Sequence, residues 1–148
     1  MLEHENVESI LATPDVAERV EPVPRAERAC SSPSLRRCST VRGDLVVVDL
    51  RTEDVIHAGN RFMVYALFPQ CRVSVHVIWG KQQLNTVLAV GKSILDRTSP
   101  VDVGALMLEH GGGGHQAAGT CQVEHDQADA VLALVADRVN GVAAQQVV

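Results

Sequence analysis

Aromatic residues and closely spaced cysteines are both scarce in this sequence of 148 residues. Phenylalanine, tyrosine and tryptophan together make up 3% of the chain. A surface on which several nucleobases stack one after another is therefore not expected. The cysteines lack the C-x-x-C spacing of a zinc site, which predicts free thiols in a reducing compartment; they are Cys30, Cys38, Cys71 and Cys121.

Long hydrophobic runs and an excess of basic residues are also absent. No apolar run reaches the roughly 18 residues of a membrane span, and we expect neither a leader nor a membrane partner. The net charge of −5 argues against a protein that coats nucleic acid, because such proteins carry a broad basic surface. A localised phosphate pocket is compatible with this charge, and a cytoplasmic protein is expected.

The most informative segment runs from residue 110 to 119 and contains four consecutive glycines followed by His115. Glycine permits unusual backbone conformations and lets a ligand approach main-chain N–H groups, so this run predicts an anion site. A helix C-cap with a flexible loop is the alternative. The small residues that follow favour the anion site, since they are typical where backbone approaches backbone or ligand. The predicted binding residues here are Gly111, Gly112, Gly113, Gly114 and His115.

Better-known phosphate motifs do not fit this chain. The glycine run lacks the Lys-Ser/Thr ending of a P-loop, and Gly91-Lys92-Ser93 has that ending but Thr86 where the first glycine is required. The dinucleotide fingerprint is excluded because the glycine run follows a helical pattern rather than a strand.

Hydrophobic periodicity predicts an α/β fold with a mixed β-sheet of about five strands flanked by helices. Hydrophobic residues, at 46%, suffice for the core of one small domain. We expect residues 41–148 to form this domain and residues 1–40 to be a linker, partly helical (5–20) or disordered. The predicted strands cover residues 45–50, 72–79, 84–90 and 120–124, and the predicted helices residues 61–68, 102–109 and 126–139.

Basic and hydroxyl side chains precede the helix that leads to the glycine run. Lys92, Ser93 and Arg97 are therefore expected to converge on the same phosphorylated ligand. For each basic residue taken singly, a solvated surface charge is the alternative.

The stretch from Asp102 to Gly119 resembles the C-terminal, DHH-associated substrate-binding domain of the DHH phosphoesterase superfamily. The glycine-histidine motif is its most specific mark, and the resemblance covers roughly residues 41–140. It implies that His115 and the glycines bind the phosphate end of a short oligonucleotide or another phosphorylated small ligand. Other segments resemble an exopolyphosphatase-like, oligoribonuclease branch: Gly59-Asn60-Arg61-Phe62, Leu67-Phe68-Pro69, Gly91-Lys92-Ser93-Ile94 and Arg97-Thr98-Ser99.

The catalytic half of that superfamily is missing from this sequence. In the family, a separate N-terminal domain with an Asp-His-His run holds two divalent metals, typically manganese. This chain has six scattered histidines and no Asp-His-His, so we expect no metal, no cofactor and no catalytic residue of its own.

Two interpretations of the chain stay open. The first is the substrate-binding domain of a truncated phosphoesterase, with a catalytic DHH domain as the partner of the intact protein. The alternative is a standalone nucleotide- or RNA-binding module that acts with a partner. The sequence leaves a homodimer open.

Overall fold

The computed structural model describes residues 32–53 and 62–144. The helices are α1 (Ser32–Arg37), α2 (Met63–Leu67), α3 (Val103–Leu108) and α4 (Ala128–Ala144). The strands are β1 (Ser39–Arg42), β2 (Leu45–Asp49), β3 (Val73–Trp79), β4 (Thr86–Lys92), β5 (Gly113–His115) and β6 (Ala118–Val123), with a 3-10 turn at Lys81–Gln83. No helix in this part of the chain is long and apolar enough to cross a membrane.

The strands form one mixed sheet in the order β1-β2-β3-β4-β6-β5. Only β2 and β3 are parallel neighbours, and the other adjacent strands pair antiparallel. The predicted α/β class and single small domain are confirmed. The sheet has six strands rather than about five, because β1 and β5 are short edge strands without a periodic hydrophobic pattern.

Alternating side chains give the sheet two different faces. Leu45 and Val47 of β2 belong to the main core, which α3 and α4 cover, whereas Val46 and Val48 belong to a smaller cluster around α2. All four side chains are buried, as expected for a strand that is covered on both faces.

Helix α3 begins and ends as its sequence predicts. The carboxylate of Asp102 accepts a hydrogen bond from the N–H of Ala105 at 3.0 Å, which caps the first turn. At the other end Gly111 adopts a φ of 73°, and the N–H of Gly112 donates to the carbonyl of Met107 at 2.9 Å. The start of the glycine run is therefore a helix C-cap, as in the alternative interpretation, while its end is strand β5 and not a flexible loop.

Several predicted segments differ in extent from those observed. Helix α2 begins at Met63, and the expected start at Arg61 lies outside the described residues, as does the predicted helix at residues 5–20. Within the predicted linker, residues 32–37 form α1 and β1 begins at Ser39. The predicted closing helix is α4, which extends to Ala144.

Asn140 of α4 ties the β1–β2 hairpin to the body of the domain. Its Oδ1 accepts from the N–H of Asp44 at 2.9 Å, and its Nδ2 donates to the carbonyl of Arg42 at 3.0 Å. Gly43 sits at the tip with a φ of +62°, and a Cβ there would lie 2.3 Å from Asn140 Oδ1. Both the conformation and the space at this turn therefore require glycine.

We expect Gly43→Ala to lower the free energy of unfolding by about 1–2 kcal/mol or more, because alanine is strained at positive φ and would also displace Asn140. Gly141→Ala on α4 is the matched control, since a Cβ there meets nothing within 4 Å. In a helix this change should raise stability by up to about 1 kcal/mol. Urea unfolding of both variants checks the prediction, which is wrong if Gly43→Ala is as stable as the wild type.

Candidate functional site

The turn between β5 and β6 connects the elements around the glycine-histidine motif. Ala117 in this turn accepts from the N–H of Lys92 at 2.8 Å through its carbonyl. The carbonyl of Gln116 accepts from the N–H of Val103 at 3.2 Å. The end of β4 and the start of α3 therefore both meet at the turn that follows His115.

The imidazole of His115 is oriented by the same turn. The N–H of Ala117 donates to His115 Nδ1 at 3.1 Å. Because an N–H group can only donate, Nδ1 is the acceptor and the proton of the neutral ring lies on Nε2. His115 is exposed, so this Nε2–H can donate a hydrogen bond to a ligand.

Some glycines of the motif are explained by backbone packing alone. A Cβ at Gly104 would lie 3.0 Å from the backbone of Gly114, and one at Gly119 would lie 2.7 Å from the carbonyl oxygen of Gly113. A Cβ at Gly112 would lie 2.0 Å from the carbonyl oxygen of Thr120. These glycines allow α3 and β5 to pack closely against β6.

Two other glycines have no such structural explanation. A Cβ at Gly91 or at Gly113 would meet nothing within 4 Å, and neither residue has a left-handed φ. The backbone at both positions borders open space. Glycine within a strand commonly marks a place where a ligand or another backbone approaches closely.

The register of the strands brings these glycines to one face of the sheet. Directly opposed residues share a face, and two rows cross β3, β4, β6 and β5 in that order. The first row is Ser74, Gly91, Ala118 and His115, and the second is His76, Ala89, Thr120 and Gly113. Apart from the buried Ser74, every member is partly or fully exposed.

We name this surface the open face; it comprises His76, Ala89, Gly91, Gly113, His115, Ala118 and Thr120. Its small residues lie between His76 of β3 and His115 of β5. These two strands are three strand spacings apart, or about 14 Å. Together with the exposed Nε2–H of His115, the open face can accept a flat, anionic ligand. Beside it, between α3 and β5, lies a shallow cleft of about 340 Å³ lined by Asp102, Gly104, Ala105, Leu108, Gly113, Gly114, His115 and Gln116.

Tyr65 borders the open face on the side of α2. Its hydroxyl lies 2.6 Å from the carbonyl oxygen of Gly91 and 2.8 Å from Ser74 Oγ. A carbonyl can only accept, so Tyr65 donates to Gly91 and accepts from Ser74. This buried chain holds the strand backbone at Gly91 without exposing either hydroxyl.

The other predicted site residues have different surroundings. Lys92 alternates with Gly91, so its side chain leaves the opposite face of the sheet, where Nζ donates to the carbonyl of Ser99 at 3.1 Å. Ser93 is 3% exposed, and its hydroxyl accepts from two backbone N–H groups in the following loop. Arg97 is exposed. The structure brings the backbone of Lys92 to the turn that follows His115. Ligand contacts by the side chains of Lys92, Ser93 and Arg97 remain predictions.

Sequence reasoning missed the contribution of β4 and β6 to this surface. The signal was present in β4, where the small residues Ala89 and Gly91 alternate with the buried Leu88 and Val90. Trp79, the single tryptophan of the sequence, lies at the other end of the sheet. Its indole N–H donates to the carbonyl of Arg51 at 2.9 Å, and its ring meets His125 edge-on.

No group of three or more histidine, cysteine or acidic side chains within residues 32–53 and 62–144 is arranged to hold a metal ion. The thiols in this part of the chain are free. Burial raises the pKa of Cys71 and of Cys121, which keeps both thiols protonated and unreactive.

Comparison with solved structures gives a strong similarity. No protein-family profile and no curated protein sequence matches this chain. A solved structure of the pGpG-specific phosphodiesterase PggH from Vibrio cholerae is 47% identical over 93% of this chain, with a TM-score of 0.77. This chain spans 47% of the length of that protein.

A second solved structure supports the fold alone. An exopolyphosphatase-related protein from Bacteroides fragilis is 14% identical over 93% of this chain and 45% of its own, with a TM-score of 0.53. The glycine-histidine motif and the 47% identity to PggH lead to the same assignment. The chain belongs to the DHH phosphoesterase superfamily, and the described domain is a DHH-associated domain.

Proposed function

We propose that this domain is the substrate-binding domain of a DHH-family phosphoesterase and that it holds the phosphate end of a short oligonucleotide on the open face. The observation that carries the proposal is the pair Gly91 and Gly113, whose backbones border open space beside the exposed Nε2–H of His115. Neither glycine is required by the packing of the protein itself. A ligand that approaches the backbone at these two positions would explain why both are glycine.

The chemistry of the open face suits a phosphate group. A neutral imidazole that donates from Nε2 binds a phosphate oxygen without the need for a proton transfer. Two N–H groups of the glycine run cap α3, where Gly111 donates to Leu108 and Gly112 to Met107. Backbone donors for the same anion would therefore come from the edge strand β5. Because most of this interaction is directional hydrogen bonding, it can select a phosphate end in a protein whose net charge is −5.

Hydrolysis belongs to another part of the enzyme in this proposal. The superfamily uses two divalent metals, typically manganese, and the described residues do not fit such a pair because they lack a suitable ligand cluster. The role of this domain is therefore to fix the position of the substrate relative to a catalytic centre. A cytoplasmic location, which the free thiols support, is part of the same proposal.

The first ligand to test is pGpG, because the relative PggH is named as specific for it. We expect calorimetric titration to show micromolar binding that weakens with salt. His115→Ala should weaken it about tenfold to a hundredfold, since a hydrogen bond to a charged group is worth about 1.5–3 kcal/mol. His110→Ala is the matched control, because His110 lines a different groove between α3 and α4.

Unchanged binding by His115→Ala would contradict this site. If longer RNA binds tightly and pGpG does not, the alternative of an RNA-binding module is favoured instead.

Gly91→Ala and Gly113→Ala test the open face directly. Because the added methyl groups meet no protein atom within 4 Å, stability should stay within about 1 kcal/mol of the wild type. We expect each methyl group to obstruct the ligand and to weaken pGpG binding in the same titration. Variants that bind pGpG as tightly as the wild type would show that the ligand does not approach these backbones.

We expect the purified chain not to hydrolyse pGpG when Mn²⁺ is added. The reason is that the described residues provide no metal-ligand cluster. Product analysis by chromatography checks this, with a mock purification as the control for contaminating nuclease. Hydrolysis by the purified chain that the mock sample lacks would contradict the proposal that hydrolysis belongs to another part of the enzyme.

A further inference from the structure

The cleft between α3 and β5, which we name the α3–β5 cleft, borders the open face. Two residues, Gly113 and His115, line both surfaces. The cleft has a volume of about 340 Å³, and small-molecule sites have roughly 300 to 1,000 Å³. A ligand whose phosphate is bound at His115 therefore has space for a further group directly beside that phosphate.

One wall of the α3–β5 cleft is the exposed side of α3. Asp102, Ala105 and Leu108 follow one another at intervals of three residues, which places them along one side of the helix. All three are exposed, and Leu108 is 69% exposed. An exposed leucine that lines a cleft is a candidate contact for a ligand. Ala105 and Leu108 thus form an apolar wall.

Main-chain atoms form the base of the cleft. Gly104 of α3 lies so near β5 that a Cβ there would come within 3.0 Å of the backbone of Gly114. A Cβ at Gly113 would meet nothing within 4 Å. No side chain at these glycines therefore separates the cleft from the open face.

A carboxylate gives the cleft its polarity. Asp102 Oδ1 accepts from the N–H of Ala105 at 3.0 Å, which orients the carboxylate, and Oδ2 has no hydrogen bond to another described residue. No lysine or arginine of the described residues lines the cleft. Because a carboxylate only accepts hydrogen bonds, this cleft repels a phosphate and attracts a group that carries N–H donors.

We propose that the α3–β5 cleft binds the guanine base of the ligand whose phosphate is bound at His115. This inference rests on the proposed function. Guanine presents two neighbouring donors, N1–H and the N2 amino group, and a carboxylate can accept from both. No other standard base offers two neighbouring N–H donors on this edge. The flat ring of the base packs against the apolar wall formed by Ala105 and Leu108.

The first test compares the full chain with Asp102→Asn in calorimetric titrations of pGpG, of pApA and of an abasic analogue with the same phosphates. Asparagine keeps the helix cap, since its amide oxygen also accepts from the N–H of Ala105, but it replaces one acceptor oxygen by an amino donor. We expect the wild type to bind pGpG about tenfold more tightly than pApA and Asp102→Asn to lose this preference.

The ratio of the affinities for pGpG and the abasic analogue is read in every variant, because a general effect of the lost charge changes both affinities alike. Asp137→Asn is the matched control. Asp137 is an exposed carboxylate in the separate groove between α3 and α4, so this variant should keep the wild-type ratio and the preference for guanine.

Leu108→Ser tests the apolar wall. We expect it to weaken binding of both pGpG and pApA about threefold to tenfold, since either base loses an apolar contact, and to leave the abasic analogue unchanged. Leu134→Ser is its control, because Leu134 is 56% exposed and lines the groove between α3 and α4.

The outcomes separate this inference from the proposed function. If Asp102→Asn keeps the preference for pGpG, or if the wild type shows none, the inference is overturned, and the function stands as long as His115→Ala loses binding. An equal loss for pGpG and the abasic analogue in Leu108→Ser also overturns it, since the phosphate site would then be disturbed. If the wild type binds none of the ligands, the proposed function fails and this inference with it. Thermal unfolding verifies each fold, and Leu108→Gln replaces Leu108→Ser if that variant unfolds.

Discussion

Close backbone packing between α3 and the strands β5 and β6 holds the candidate site together, and it depends on residues without side chains. Gly104 lies so near Gly114 that a methyl group would come within 3.0 Å of the backbone. A bulkier residue would push the helix away from the sheet and break the bond between Val103 and Gln116. The β5–β6 turn, in which the N–H of Ala117 orients His115, would then lose its contact with α3. The geometry of a polar site thus rests on a contact made almost entirely of main-chain atoms.

The two faces of the sheet differ in how closely they are packed. On one face Leu88, Val90 and Cys121 are buried beneath α3 and α4 and supply the apolar contacts of the main core. On the other, Ala89, Gly91 and other small residues leave the backbone accessible. Because side chains alternate along a strand, one strand can anchor the sheet through one set of residues and leave the open face accessible through the other. A ligand on the open face need not disturb the packing that keeps the domain folded.

Regular elements with a strong hydrophobic period could be predicted, and short edge elements could not. β3 and α3 follow alternation and capping patterns that act within a few residues, and both are observed close to their predicted bounds. β5 consists of Gly113, Gly114 and His115, which have little intrinsic preference for a strand. It is a strand because its backbone pairs with β6, a contact that no local pattern in a glycine run encodes.

By itself the sequence determined the glycine-histidine motif, the superfamily it resembles and the alternation of large and small side chains along each strand. Only the tertiary structure decided that Gly91 lies in one row with His115, and that the side chain of Lys92 leaves the opposite face. The reason is physical: a shift of one residue in strand register moves every side chain to the other face. That register follows from core packing and from contacts between residues far apart in the chain. A motif is local and can be recognised in the sequence alone. A surface formed by several strands exists only after the strands have paired.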